Sequence, residues 1–327
     1  MSVLVTGGAG YIGAHVVRVL QASGQEAVVV DDLSTGSAAR TGTTPLVRLD
    51  VADPGSIEPL TDALRRFRVD AVVHLAGRKR VDESLVRPVH YYRQNVSGLA
   101  HVLAAVEAAG VERFVFSSSA AVYGPTTHLR VDEDAPTAPA NPYGETKLAG
   151  EWLVRAAARA GGLRAVSLRY FNVAGAGWPE LGDPVQQNLV TRALARLVRG
   201  ERPELFGTDY PTPDGTCVRD FVHVLDLAEA HVAALHHLTG SGPDEQVLNV
   251  GTGSGASVRE VLDGLRRVTG VELDPVLRGR RAGDPPCVVA AVDRIEDRLG
   301  WRARAGLDEI LTSAWDAWQR VPAATHR

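Results

Sequence analysis

Cysteine is almost missing from this chain: Cys217 and Cys287 are the only two among 327 residues. Two distant thiols build neither a disulfide framework nor the paired spacing of a structural zinc site, which fits a reducing compartment and leads us to expect the cytoplasm. An excess of charge is missing as well. With 35 Lys and Arg against 39 Asp and Glu, the net charge is −4 and the isoelectric point is near 6.2, so no basic field is offered to nucleic acid. No apolar run is long enough to span a membrane. The start, MSVLVTGGAG, reaches glycines after one short apolar run and lacks the charged opening and long apolar centre of a signal peptide. Internal repeats, low-complexity tracts and disordered linkers are absent too. The elbow motif of a serine hydrolase does not occur, and His236 and His237, adjacent on an expected helix, cannot share a face, so no metal site is expected.

What remains is the composition of a globular protein, 45% hydrophobic and 23% charged, long enough for one large or two interwoven domains. Short β-branched runs, SVLVT, EAVVV, PLVRLD, AVVHLA, RFVFSSS and RAVSLRY, alternate with helical periodicity at 11–23, 56–67, 91–109 and 143–160. Such alternation predicts an α/β fold with a doubly wound parallel sheet. Beyond residue 172 the rhythm changes to loops rich in Pro and Gly, with helices expected near 188–199, 226–239, 257–269 and 306–319. We therefore expect a dinucleotide-binding domain over 1–172 and a smaller, interwoven lobe over 173–327. Two strand-like pieces of that lobe, RDFVHV and QVLNVG, are candidates to return to the main sheet.

The first strand runs into GGAGYIG, where Gly7, Gly10 and Gly13 stand three apart and open an amphipathic helix. Glycines let the backbone approach a pyrophosphate, and the helix start offers free N–H groups and a positive dipole end. Asp31 at the end of the second strand answers them, placed to bind ribose hydroxyls and to repel a 2′-phosphate, which favours NAD over NADP. Further strand ends point to the same crevice with Asp50 and Val51, Ala76 to Lys79, and Ser117 to Ser119. Asp50 suits an adenine amino group and Lys79 the ribose or nicotinamide side. In NPYGETKLAG, Asn141 is a natural N-cap and Pro142 suits the first helical position, so Tyr143 and Lys147 share a face one turn apart. A neighbouring ammonium lowers a phenol's pKa, which would make Tyr143 a general base, with Ser119 beside it to hold a substrate oxygen.

Taken together, GGAGYIG, DDLSTG, LAGRKRVDES, SSSAAVYG, NPYGETK, LRYFNVAGA, DYPTPDGTCVRDFVHVLDLA and RRAGDPP resemble the extended short-chain dehydrogenase/reductases and, within them, the UDP-galactose 4-epimerases. The resemblance runs in order from residue 3 to about Trp301. It implies catalytic Ser119, Tyr143 and Lys147, and NAD contacts from Gly7, Gly10, Tyr11, Ile12, Asp31, Asp50, Val51, Lys79, Asn95 and the catalytic pair. It further implies UDP-sugar contacts from Ser119, Asn172, Asn188, Arg219, Arg281 and Asp284, and a homodimer built from the helices near 91–109 and 143–160. The position of Val288 lies beside the sugar in this family. A bulky tyrosine there accompanies restriction to glucose and galactose, whereas a small residue accompanies acceptance of N-acetylated sugars. Two departures from the family pattern are Arg93-Gln94, where an Asp-Asn pair is common, and Arg80, where a small residue is common. The implied reaction is epimerisation at C4 of a UDP-hexose through a transient 4-keto sugar, with pentose or uronic acid relatives as alternatives. A 4,6-dehydratase needs an acid and a base beside the serines, where Ala120 and Ala121 stand instead. A net reductase would favour NADPH, against Asp31, and an idle NAD-binding scaffold has no need of Ser119, Tyr143 and Lys147 together.

Overall fold

Burial on both faces turns the β-branched runs into the interior strands of a parallel sheet. The computed structural model describes residues 1–126, 130–240, 245–281 and 283–320. Seven strands form the first sheet, in the order Glu245–Val250, Arg164–Tyr170, Arg113–Ser117, Ala71–His74, Ser2–Thr6, Glu26–Asp31 and Leu46–Arg48, all parallel. Val3, Val5, Val29, Val73, Val115 and Val166 point to one side, where helices Tyr11–Ala22 and Val224–His237 supply Val16, Val17, Leu20, Leu227 and Leu235. Leu4, Val30, Val72, Phe114 and Phe116 point to the other, against Leu60, Leu64, Val102, Val106 and Val154 from helices Ile57–Arg66, Gly98–Ala109 and Pro142–Ala160. With no face left in water, the strands need no polar alternation. This is the doubly wound α/β fold that the sequence predicts.

QVLNVG returns to this sheet as its edge strand, in register with Arg164–Tyr170. RDFVHV does not. Its strand, Val218–His223, is the centre of a second sheet, antiparallel to Gly255–Ser257 and parallel to Cys287–Ala290 and Asn172–Ala174. Two short strands of equal apolarity carry no mark of their partner, and Asn172–Ala174 claims this one by leaving the first sheet. A further core of Val190, Leu194, Val261, Leu265, Ile310 and Leu311 packs the helices beyond residue 188 together. The segment 91–109 is also not one helix: Pro88–Tyr92 passes through five π-helical residues, Arg93–Ser97, into Gly98–Ala109. No helix among the described residues is long and apolar enough to cross a membrane, and none of them form a metal-ligating group of three or more His, Cys, Asp or Glu. His236 and His237 hydrogen-bond Gln25 and Gln246, both at 2.7 Å.

One buried ion pair fixes Pro142–Ala160 on the sheet. The Arg169 Nε and Nη2 donate to the two carboxylate oxygens of Glu151 at 2.9 and 2.7 Å, and the Ser118 hydroxyl donates to the same carboxylate at 2.5 Å. Arg169 and Glu151 are 5% and 1% exposed, so removing one partner strands the other's charge without water. Glu151→Leu should cost about 3–5 kcal/mol of unfolding free energy in urea titration, and adding Arg169→Met should restore much of it. A single-variant loss below about 1 kcal/mol would contradict the pair's role.

Candidate active site

The strand order reverses direction between Ser2–Thr6 and Ala71–His74, and a cavity of about 210 Å³ opens there at the carboxyl ends of the strands. Open parallel sheets bind ligands at such a switch point. Gly7 turns the chain at φ +72°, and a Cβ on it would stand 2.8 Å from the Ala76 nitrogen, so the two strand ends close on each other only because that side chain is missing. Gly10 starts helix Tyr11–Ala22 without any side-chain cap, leaving the first N–H groups free for an anion. Gly13, Tyr11 and Ile12 line the same wall.

Asp31 ends the second strand with its carboxylate accepting from the backbone N–H groups of Ala9 and Leu33, at 3.0 and 2.8 Å. Burial raises its pKa, and these two bonds oppose the shift. Asp50 accepts from Ala52 N at 2.9 Å and lines the cavity with Val51 and Lys79, whose ammonium lies 5.9 Å from the centre of the Tyr11 ring. Asn95 sits behind the wall. Its amide is shared between the backbone N–H and carbonyl of Arg78, at 2.7 and 3.0 Å, and the Thr146 hydroxyl at 2.9 Å. It thus ties the loop that carries Lys79 to the helix that carries Tyr143. Of the two departures from the family pattern, Gln94 lines the cavity and reaches Asp50 at 3.5 Å, while Arg80 pairs with Asp82 at 2.8 Å.

Asn141 caps Pro142–Ala160 as its sequence predicts, accepting from Gly144 N at 2.9 Å with Pro142 in the first turn. Tyr143 and Lys147 are both buried and both line the cavity. The expected ammonium–phenol pairing takes another form, however. Lys147 Nζ donates to the Ser117 carbonyl at 2.8 Å and stands 5.3 Å from the Phe116 ring centre. Burial pulls its pKa down to about 8, against the pull of Glu151. Burial likewise pushes the Tyr143 phenol up, and a hydrogen bond with Ser119 opposes that rise. Burial thus favours the neutral phenol, while a lysine of pKa about 8 keeps its charge for the most part at neutral pH. Ser119 starts a short helical turn, accepting from Ala121 N at 3.2 Å.

The residues expected to hold the sugar nucleotide gather mostly on the second sheet. Arg219 pairs with Val288 in strand register and donates to Asp284 at 2.6 Å. Asn172 lies on the neighbouring strand, exposed, and the exposed Arg281 stacks its guanidinium 3.8 Å from the Phe206 ring centre. Val288 packs against a cluster that contains Val122, Tyr123 and Leu148, as does Ala120, the residue after Ser119 in the chain. Asn188 stands apart: its carbonyl oxygen caps helix Leu189–Val198 through Thr191 N at 2.9 Å, and its amide donates to Asp183 at 3.2 Å. Sequence reasoning placed Arg78 at the crevice but missed Tyr170, Arg40 and Asp183, which also line the cavity. Tyr170 alone had a signal, since it ends an expected strand of the sheet; its phenol is buried and pushed up in pKa by that burial.

Comparison with known proteins agrees with this geometry. The model of the NAD dependent epimerase/dehydratase family matches residues 3–251. A UDP-glucose 4-epimerase of Azospirillum brasilense is 50% identical, over 97% of this chain and 92% of its own length. Among solved structures, a UDP-glucose 4-epimerase from Stenotrophomonas maltophila with bound NAD and formylated UDP-arabinopyranose superposes with a TM-score of 0.92, at 40% identity and with 98% of each chain covered. A UDP-Glc/GlcNAc 4-epimerase from Campylobacter jejuni reaches 0.86 at 36% identity, covering 98% of this chain and 99% of its own. A match that starts in the first strand of the parallel sheet and ends just past its last one places this chain in the NAD dependent epimerase/dehydratase family.

Proposed function

We propose that the chain is a UDP-sugar 4-epimerase that interconverts UDP-glucose and UDP-galactose with bound NAD. The observation that carries this reading is the convergence of Tyr143 and Lys147 on the cavity that begins at Gly7 and Asp31. The residues fit NAD: Gly7 leaves a cradle that a Cβ would fill, the uncapped helix start suits a diphosphate, and Asp31 presents its carboxylate where a ribose would lie. When bound, NAD supplies reversible acceptance of hydride from the sugar C4. Tyr143 takes the proton of the C4 hydroxyl and later returns it to the same oxygen, when hydride comes back to C4 from the opposite face of the turned sugar. The positive charge of Lys147, and of an oxidised nicotinamide, offsets the burial that otherwise keeps the phenol protonated. Ser119 holds the same oxygen through the hydroxyl that already bonds Tyr143.

A sugar that must turn over between the two transfers has to be held by its nucleotide. Arg219 and Arg281 are suited to a pyrophosphate, since a guanidinium matches two phosphate oxygens at once. Asn172, Asn188 and Asp284 complete the UDP-sugar set, and the second sheet with its helices is the substrate lobe. We further infer a homodimer on the helices near 91–109 and 143–160, where Tyr92 and Trp152 are exposed at 41% and 59%, and a cytoplasmic enzyme.

Tyr143→Phe should lower epimerisation of UDP-galactose by about a hundredfold or more, while NAD still binds; near-normal turnover would overturn the mechanism. The sugar range follows from Val288. Valine leaves room for an acetamido group at C2, so both UDP-galactose and UDP-N-acetylgalactosamine should be epimerised. Val288→Tyr should then abolish the N-acetyl activity and spare the simple hexose, because added bulk rejects only the larger ligand. If the unaltered enzyme turns over no N-acetylhexosamine, the size argument fails.

A further inference from the structure

Arg40 lies in the short helical turn Ala38–Thr41, just after the loop that follows Asp31. That segment is pressed against the glycine-rich turn. Ser37 N donates to the Ala9 carbonyl at 3.1 Å, and a Cβ on Gly36 would stand 2.9 Å from the Ala9 carbonyl carbon. The guanidinium is thereby carried to the cavity wall formed by Gly10, Tyr11 and Ile12. Its two terminal nitrogens are treated differently. Nη2 donates to the Gly182 carbonyl, on the loop that leads to Asp183 and Asn188. Nη1 is buried and has no hydrogen-bond partner. Asp183 does not satisfy it: its carboxylate accepts from Val185 N at 3.1 Å and from Asn188 Nδ2 at 3.2 Å, and acts on the guanidinium through its charge alone. A buried donor left unmade is costly, and more so on a group that stays charged at every working pH.

We propose that Arg40 is a ligand of the dinucleotide's diphosphate and, through the same guanidinium, a latch on the 175–188 loop; this rests on the NAD reading above. Nη1 donates to an anionic phosphate oxygen at the start of helix Tyr11–Ala22, while Nη2 keeps its hold on Gly182. A planar guanidinium serves two acceptors with little loss of side-chain freedom. Its full charge adds to the partial charge of the helix end, which attracts the same anion. The loop is bound to the helix independently: the Tyr11 hydroxyl donates to the Gly175 carbonyl at 2.6 Å, and Gly177 N donates to His15 Nε2 at 3.0 Å. Tyr11 lines the cavity while it holds the loop, and Arg40 adds a full positive charge to that link. Release of the dinucleotide therefore loosens the guanidinium that also holds the residues leading to Asn188.

The test is to measure dissociation constants of NAD, ADP-ribose, NADP and adenosine for the full-length chain, as wild type, Arg40→Lys and Arg40→Met, with thermal unfolding of each variant as a folding control. Arg40→Met should weaken NAD and ADP-ribose by about tenfold or more and leave adenosine unchanged. Arg40→Lys, which keeps the charge and loses the fork, should weaken the same two ligands by less. Equal affinities in all three proteins, a loss that extends equally to adenosine, or a loss confined to NADP would overturn the assignment. If Arg40→Met does not fold, Arg40→Lys decides by the same comparison of diphosphates with adenosine. A wild type that binds no NAD would remove the cofactor reading itself, whereas a wild type that binds NAD no better than its variants removes only the role of Arg40.

Discussion

The site depends on the seating of helix Pro142–Ala160 against the parallel sheet. The buried side of its second and third turns is fixed by several different contacts. Lys147 reaches the Ser117 carbonyl, Gly150 lies so close to Phe116 that a Cβ would come within 2.6 Å of its ring, and Glu151 is locked to Arg169 and Ser118. Thr146 is joined through Asn95 to the loop carrying Lys79. A helix held at four positions over two adjacent turns, 146, 147, 150 and 151, cannot slide or rotate by a residue. Tyr143, one turn before Lys147, is therefore delivered to the cavity by the packing of the domain rather than by a local loop, as precise catalytic geometry requires.

The electrostatics of the pair follow from the same burial. Removing both groups from water favours their neutral forms, so the phenol rises and the lysine falls toward about 8. The two shifts oppose the ionised pair that proton transfer needs, and a positive ligand charge at the cavity tips the balance back. In the proposed mechanism proton transfer is thereby tied to the oxidised cofactor, the form that calls for a base. The proposed nucleotide ligands lie elsewhere: Arg219, Asn172 and Val288 stand on the second sheet, with Asp284 paired to Arg219, so that in the proposed mechanism a nucleotide stays fixed while its sugar turns.

Much of this was legible in the sequence because its causes are local. The strand runs, the glycine spacing, Asp31 and the Asn141-Pro142 start of the helix each act within a few residues, and all take their predicted places. What escaped depends on partners far along the chain. The Lys147 ammonium could be seen one turn from Tyr143, but not the Ser117 carbonyl that holds it. Arg40 stands in a segment with no periodicity, and its meaning comes from Gly182, a residue 142 positions away. The π-helical stretch at Arg93–Ser97 arises where Asn95 must turn inward to hold Arg78, a tertiary demand that helical spacing does not display.

The most direct test of the central claim is to follow deuterium at C4. UDP-glucose labelled with deuterium at that carbon should be converted, with no added cofactor, into UDP-galactose that keeps the label at C4 in ordinary water. The hydride never leaves the enzyme in this account, and only the hydroxyl proton passes through Tyr143. Loss of the label to solvent, or no galactose formed by protein carrying NAD, would contradict it.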